Sequence, residues 1–228
     1  MSNRISIIIP VFREAETIHQ TLSQPALAPD REALEIIVVD GDPRGETIQA
    51  IRGNRVTSVV SRKGRGIQMN TGALHAGGEI LLFLHADTRL PADGLSQIRT
   101  ALTDPEVVAG AFDLKIDSER PIFRLIERTA SIRSRLTRIP YGDQAIFIRS
   151  DFFREIGGYR DIPIMEDVDF MRRIKPTGKS IAFLEDRVGT SPRRWEKEGV
   201  LQGTLRNWIL VLLFLAGVSP DRLSRFYR

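Results

Sequence analysis

No cysteine occurs among the 228 residues, which excludes disulfide scaffolds, thiol nucleophiles and thiolate zinc sites together and suits a reducing, cytoplasmic compartment. Any metal must therefore rest on oxygen or histidine ligands, and histidine numbers only three. Aromatic residues make up 7% and are not interleaved with basic clusters, and no helix-turn-helix, RRM or zinc pattern occurs. A nucleic-acid-binding role is therefore not expected. Long hydrophobic runs are also missing. The opening MSNRISIIIPVF breaks at Pro10 without a small-residue cleavage site, so it reads as a first strand and not as a signal peptide. Asn207 to Pro220 is free of charge, yet a spanning helix needs about 20 apolar residues.

What remains is an ordinary globular composition, 42% hydrophobic and 27% charged, with no linker or internal repeat, and one domain over 1–228 is expected. Thirty-three Lys and Arg against 29 Asp and Glu leave a net charge of +4, which favours anionic partners without choosing among them.

The apolar runs Ile5 to Val11, Leu34 to Val39, Val56 to Val60 and Ile80 to Leu84 are short and rich in β-branched residues, as in strands buried on both faces. Between them, Glu14 to Leu22, Thr47 to Arg52 and Gly66 to Ala76 carry helical spacing. The alternation predicts an α/β fold with a parallel sheet, whose ligands gather beyond the carboxyl ends of the strands. The later pattern predicts helices at Leu95 to Leu102 and Ile122 to Leu136, and strands at Val107 to Ile116, Ala145 to Arg149 and Ser180 to Leu184. Asp151 is expected to cap a short helix ending at Gly157-Gly158, with another helix over Glu166 to Ile174.

Four clusters stand at those ends. Asp40-Gly41-Asp42 offers carboxylates to a base or ribose, or makes a turn. Ser61 to Gly66, with Arg62, Lys63 and Arg65 among glycines ahead of a helix, suits a phosphate or is a solvated basic loop. His85-Ala86-Asp87 places two potential ligands on one side of a strand end, or forms a hydrogen-bonded terminus. Glu166, Asp167 and Asp169 open a helix, complementing its dipole or supplying a general base.

In this order, over roughly residues 4 to 190, the pieces resemble the family 2 glycosyltransferases. Ile7 to Glu14 is similar to the family's first strand and turn, Glu35 to Gly41 to its second strand, and Arg65 to Gly72 to its Gly-rich segment. Leu84-His85-Ala86-Asp87 stands in the place of its Asp-x-Asp metal motif, and Glu166-Asp167-Val168-Asp169 in that of its catalytic Glu-Asp. The His-Ala-Asp-Thr form and Tyr141-Gly142-Asp143-Gln144 look most like a small bacterial branch described as radical-SAM/selenodomain-associated transferases.

The resemblance implies a GT-A, Rossmann-like fold, with 1–90 as the nucleotide-binding half, 91–190 the acceptor and catalytic half and 191–228 a helical segment. It further implies inverting transfer from a nucleotide-diphosphate sugar, expected to be a UDP sugar, to an unassigned hydroxyl acceptor. The donor would lie against Pro10, Val11, Glu14, Asp40, Arg62, Arg65, Gln68, His85, Ala86 and Asp87. Mg²⁺ or Mn²⁺ would sit on Asp87 with His85. Asp167 would be the base, with Glu166 its alternative, Asp169 would orient neighbours or cap the helix, and Gly142, Asp143 and Gln144 would line the acceptor side. A sugar-1-phosphate nucleotidyltransferase places its basic glycine loop directly after the first strand, where this chain has the glycine-free Pro10 to Glu14.

Trp208 to Val218, after a helix-compatible Val200 to Asn207, is expected to form a core helix on the sheet. The alternative is an interfacial surface that brings a lipid-linked acceptor, and the inner face of a membrane, near the site. Arg120, Arg124 and Arg128, four residues apart, would then face anionic headgroups or simply water.

Overall fold

The computed structural model describes residues 4–27, 34–53 and 56–227. Eight strands form one sheet in the order β3-β2-β1-β4-β7-β6-β8-β5: β1 (Ile5–Val11), β2 (Leu34–Asp40), β3 (Val56–Val60), β4 (Ile80–Phe83), β5 (Thr88–Arg89), β6 (Val107–Ile116), β7 (Phe147–Arg149) and β8 (Ser180–Thr190). The helices are α1 (Ile18–Leu22), α2 (Glu46–Ala50), α3 (Arg65–His75), α4 (Gly94–Ala101), α5 (Pro121–Thr137), α6 (Ser150–Glu155), α7 (Glu166–Ile174), α8 (Arg193–Glu198), α9 (Val200–Leu215) and α10 (Pro220–Ser224).

The first four strands pair in parallel, as their apolar runs predict. Both faces of this half are covered. Ile8, Ile37, Leu81 and Phe83 pack with Met69 of α3 and Phe170 of α7 on one side. Ile7, Ile9, Val38 and Leu82 pack with Ile18 of α1 and Ile98 of α4 on the other. Parallel pairing puts the chain segments after β1, β2 and β4 along one edge, which becomes the floor of the site. Beyond β4 the sheet turns mixed: β7 is antiparallel to both β4 and β6, and β8 is parallel to β6.

Three local expectations shift. The strand expected at Ser180 to Leu184 continues to Thr190, because an irregularity at Phe112/Asp113 lets β6 keep pairing with it through Ile116↔Thr190. The helix expected from Glu14 starts at Ile18, since Glu14 to Thr17 forms a turn closed by the Thr17 N–H on the Glu14 carbonyl. Asp151 is not a cap: α6 begins one residue earlier, and Asp151 lies in its first turn.

The core-helix reading of Trp208 to Val218 is overturned. The helix α9 runs unbroken from Val200 and buries only Val200, Gly203 and Leu210. Leu201, Leu205, Trp208, Ile209, Leu212, Leu213 and Leu215 remain exposed. The sheet faces are already occupied by α1, α3, α4, α6 and α7, so α9 docks at the periphery of the core through Leu210, Val211 and Phe214. Among the described residues no helix is long and apolar enough to cross a membrane.

Candidate active site

The expected residues separate into those that face an open pocket and those that hold its walls. A cavity of about 260 Å³ is lined by Arg65, His85, Asp87, Tyr141, Asp143 and Asp167, and its walls also include Val168, Val211, Thr190, Ser191, Trp195, Asn207 and Tyr227. His85 and Asp87, just beyond β4, thus meet the first turn of α7 across one space, although the residues separating them in sequence number about eighty.

Asp167 is fixed on both oxygens. Its Oδ1 accepts from the Val168 N–H at 2.8 Å, and Oδ2 accepts from the Gly142 N–H at 2.7 Å. The chain enters α7 through Met165, a non-glycine residue at φ 65°, a sparsely populated conformation found where surrounding structure enforces it. Gly142 is the hinge of the arrangement: a Cβ there would lie 2.9 Å from His85 Nε2 and 3.5 Å from Asp167 Oδ2. Only glycine lets the imidazole, the turn and the carboxylate converge this closely.

Glu166 points the other way. Its side chain is 4% exposed and its Oε1 is 2.6 Å from Arg65 Nε. Burial pushes its carboxyl upward, Arg65 pulls it down, and Asp167 adds a further upward push; the net direction is up. Asp169 accepts from Arg160 at 3.1 Å and from Arg173 at 3.0 Å. The close packing of α3 on this region has its own requirement, since a Cβ at Gly66 would stand 2.7 Å from the Arg160 carbonyl oxygen.

Asp87 is exposed to the cavity, but desolvation by the atoms around it, reinforced by the negative charge of Glu14, raises its proton affinity. Glu14 is itself held by Thr17 Oγ1, which donates to Oε2 at 2.6 Å, and its backbone N–H donates to Thr47 Oγ1. The repulsion between the Glu14 and Asp87 carboxylates is one that a cation relieves.

Several expected contacts turn out to be scaffolding. Asp40 is fully buried, with Oδ1 accepting from the Asp42 N–H at 2.9 Å and Oδ2 from the Thr47 N–H at 3.0 Å. Its carboxylate braces the turn into α2, and neither oxygen is exposed in this arrangement. Asp42, two residues on, keeps a buried Oδ2 with no hydrogen-bond partner among the described residues, 3.5 Å from Arg13 Nε. Asp42 is the second carboxylate of the Asp-Gly-Asp cluster, and among the described residues its Oδ2 is paired only with the Arg13 cation.

Gln68 is buried, and its Nε2 donates to the Val11 carbonyl at 2.7 Å and the Val39 carbonyl at 2.8 Å, tying β1 to β2 beneath the floor. Pro10 and Val11 are buried too, and the Val11 carbonyl also accepts from the Gly41 N–H. The buried Ala86 offers its carbonyl to Thr21 Oγ1. Arg62 is exposed and pairs with Asp161 at 3.2 Å, outside the cavity lining. Gln144, expected toward the acceptor, is fully buried. It donates to the Phe112 carbonyl at 2.9 Å and accepts from Ser134 Oγ at 2.6 Å and the Tyr141 N–H at 3.2 Å. Of the acceptor trio, Asp143 lines the cavity and Gly142 positions Asp167.

Trp195, Asn207, Tyr227 and the Thr190-Ser191 end of β8 also line the cavity without having been singled out from sequence, while Tyr141 stood only as part of the Tyr-Gly-Asp-Gln segment. The former come from segments with no motif, and only the fold brings them here. Arg124, read as a possible headgroup ligand, is instead occupied by Glu127 and by the Ile116 and Ser118 carbonyls.

An open α/β sheet with carboxylates beyond its strand ends and a second acidic helix start facing them defines a GT-A type transferase architecture. Comparison with known proteins agrees. Residues 6–157 match the model of glycosyl transferase family 2, well over half of the chain, and the chain belongs to that family; it is a family 2 glycosyltransferase. Curated relatives include the glycosyltransferase AglE of Haloferax volcanii, 25% identical over 207 residues, covering 83% of this chain and 67% of the relative. An uncharacterized glycosyltransferase of Mycobacterium tuberculosis is 25% identical over 190 residues, covering 74% of this chain and 68% of the relative.

Among solved structures, the mannosyltransferase PcManGT from Pyrobaculum calidifontis, in complex with GDP-Man and Mn²⁺, superposes with a TM-score of 0.70 at 21% identity, covering 96% of this chain and 66% of that one. TarS from S. aureus, in complex with UDP-GlcNAc, gives 0.62 at 17% identity, covering 82% and 58%. At these identities the superpositions establish the shared GT-A fold. The chain spans about two thirds of the length of the relatives it matches.

Proposed function

We propose that this protein transfers a sugar from a nucleoside-diphosphate sugar, UDP-linked, to an acceptor hydroxyl with inversion, and that Asp167 is the general base. The observation that carries the reading is Asp167 held by the Gly142 N–H at 2.7 Å in the same cavity as His85 and Asp87. Nucleotide-sugar complexes of two proteins with this fold support the donor class. The His-Ala-Asp-Thr and Tyr-Gly-Asp-Gln segments support placement in the small bacterial radical-SAM/selenodomain-associated branch.

In the reaction the acceptor oxygen attacks the anomeric carbon as its proton passes to the Asp167 carboxylate. The bond from that carbon to the diphosphate oxygen breaks, and the nucleoside diphosphate leaves with its electron pair. Both Asp167 oxygens already accept one backbone N–H each, which fixes the carboxylate plane before substrate arrives and leaves remaining lone pairs for the acceptor proton. Glu166, buried and paired with Arg65, cannot reach the acceptor without breaking that pair, which favours Asp167.

Asp87 and His85 suit a hard divalent ion, Mg²⁺ or Mn²⁺. Among the described residues no group of three acidic or histidine side chains is placed to hold a metal alone, so diphosphate oxygens and water would complete the coordination, the usual mode for such ions at phosphate sites. When bound, the ion would neutralise charge on the departing diphosphate.

Asp167→Asn tests the base. A general base contributes about 10²- to 10⁴-fold, so turnover should fall by that factor while donor affinity, read by calorimetry, stays within a few-fold. Near-normal turnover in this variant, with loss in Glu166→Gln, would move the base to Glu166.

A further inference from the structure

The exposed apolar surface of α9 is not scattered. Leu201, Leu205, Trp208, Leu212 and Leu215 recur at spacings of four and three and form one stripe along the helix, while Leu125, Thr129, Ile132 and Leu136 form a second stripe along α5. Between the two helices lies a groove of about 430 Å³, lined by Ile132, Leu136, Trp208, Val211, Leu212 and Leu215. That volume falls in the range of ligand pockets, and an exposed apolar strip of this extent on a folded protein marks an interaction site.

Two features identify what fits. First, the groove offers almost no hydrogen bonding. The Thr129 and Thr137 hydroxyls donate to the Ile126 and Arg133 carbonyls of their own helix. The Arg133 guanidinium stacks 3.2 Å over the Tyr141 ring and donates to the Ile139 carbonyl and to Ser134 Oγ. A sugar polymer or an extended peptide would leave polar groups unsatisfied here, whereas a hydrocarbon chain needs no partners. Second, the groove adjoins the candidate active site: Tyr141, Val168 and Val211 line both cavities. On the far side of those shared residues the lining changes from apolar to Asp143, Asp167 and Asn207. An apolar groove thus lies next to a polar cavity that holds the proposed base.

We propose that the acceptor is an amphiphile whose single hydrocarbon chain lies in the groove between α5 and α9 and whose hydroxyl-bearing head reaches Asp167. This rests on the transferase reading for the head and on the groove alone for the chain, so the two are separable by experiment. The reaction is the one written above, with the acceptor oxygen on the head of the amphiphile.

The test uses alkyl β-glucosides of increasing chain length, from methyl to decyl, below their micelle concentrations. Trp208 lines the groove and the chain has only one other tryptophan, Trp195, so Trp195→Phe leaves Trp208 as the sole reporter; calorimetry on the unaltered protein provides a second readout. The expected result is saturable one-to-one binding of decyl glucoside. Affinity should rise about two- to four-fold per methylene, following the transfer energy of a partly to fully buried CH₂, and methyl glucoside should produce no shift. The double variant Leu136→Asp, Leu212→Asp, altered at positions 81% and 65% exposed, should weaken decyl glucoside at least ten-fold and leave UDP affinity with Mn²⁺ unchanged.

Binding that ignores chain length, or that persists undiminished in the double variant, overturns the proposal. So does a concentration-dependent dimer that the double variant abolishes and decyl glucoside does not dissociate, because the groove would then belong to a second copy. If decyl glucoside binds as expected but no nucleotide does, the transferase reading fails and the groove stands; nucleotide binding without chain-dependent glucoside binding gives the reverse.

Discussion

Adding one methyl group at Gly142 probes the convergence on which the proposed chemistry depends. The new Cβ would stand 2.9 Å from His85 Nε2, about half an ångström inside ordinary contact, and 3.5 Å from Asp167 Oδ2, which is ordinary contact. Gly142 does not have a positive φ, so alanine meets no backbone obstacle. The imidazole at the end of a rotatable side chain gives way more readily than the turn, and the global fold should lose at most about 1 kcal/mol. The loss falls on the site. A misplacement of about 1 Å costs up to about 10²-fold in rate, so Gly142→Ala should lower kcat/KM by about 10- to 100-fold at fixed Mn²⁺ and raise the Mn²⁺ concentration needed for half-maximal activity. Steady-state transfer assays across a Mn²⁺ series, with Tm measured alongside, provide the readouts. In a His85→Ala background the same methyl has nothing to displace, so the cost of Gly142→Ala should nearly vanish, a non-additivity diagnostic of direct contact. Wild-type activity and Mn²⁺ dependence in the single variant, or full additivity in the double, would refute the reasoning.

Three other perturbations separate metal, packing and charge. Asp87→Ala should abolish the Mn²⁺-dependent part of UDP affinity by calorimetry, as should EDTA with the unaltered protein, while His85→Asp should retain or strengthen it because a carboxylate suits a hard cation better than an imidazole. Gly66→Ala drives a methyl to 2.7 Å from the Arg160 carbonyl oxygen, a backbone atom that cannot rotate away; a stability loss of about 1–3 kcal/mol should appear as a Tm lower by several degrees, and an unchanged Tm would show that α3 is less tightly seated. Because the net environment of Glu166 raises its carboxyl pKa, folding takes up a proton in the interval above the ordinary carboxylate value. The stability this contributes is present below that value and is lost as pH rises through the raised one. The stability of the unaltered protein minus that of Glu166→Gln should therefore fall with rising pH in denaturant melts, and a difference that grows with pH would show that the Arg65 pair dominates burial.

Local sequence determined the strands and the positions of the chemistry. β-branched runs at Ile5, Leu34, Val56 and Ile80 had to be buried on both faces, which makes a parallel sheet and orders its carboxyl ends along one edge. His85, Asp87 and Asp167 could be singled out because residue type and position relative to an element are local properties. Tertiary structure decided orientation and partnership. Asp40 and Asp42 stand two residues apart with the same side chain, yet the Asp42 N–H and the start of α2 take the two oxygens of one, while among the described residues a buried oxygen of the other has only the Arg13 ion pair. Glu166 and Asp167 are adjacent acids on one helix, so successive side chains diverge by about 100°, and only the positions of Arg65 and Gly142 settle which one faces the cavity. The apolar α9 shows the same limit most plainly: hydropathy said that its face must be covered, but the sheet had been filled by helices from distant parts of the chain, so the face lies outward beside the active site. Which surface covers an apolar helix is decided by competition among all elements for the same core, and no local stretch of sequence contains that competition.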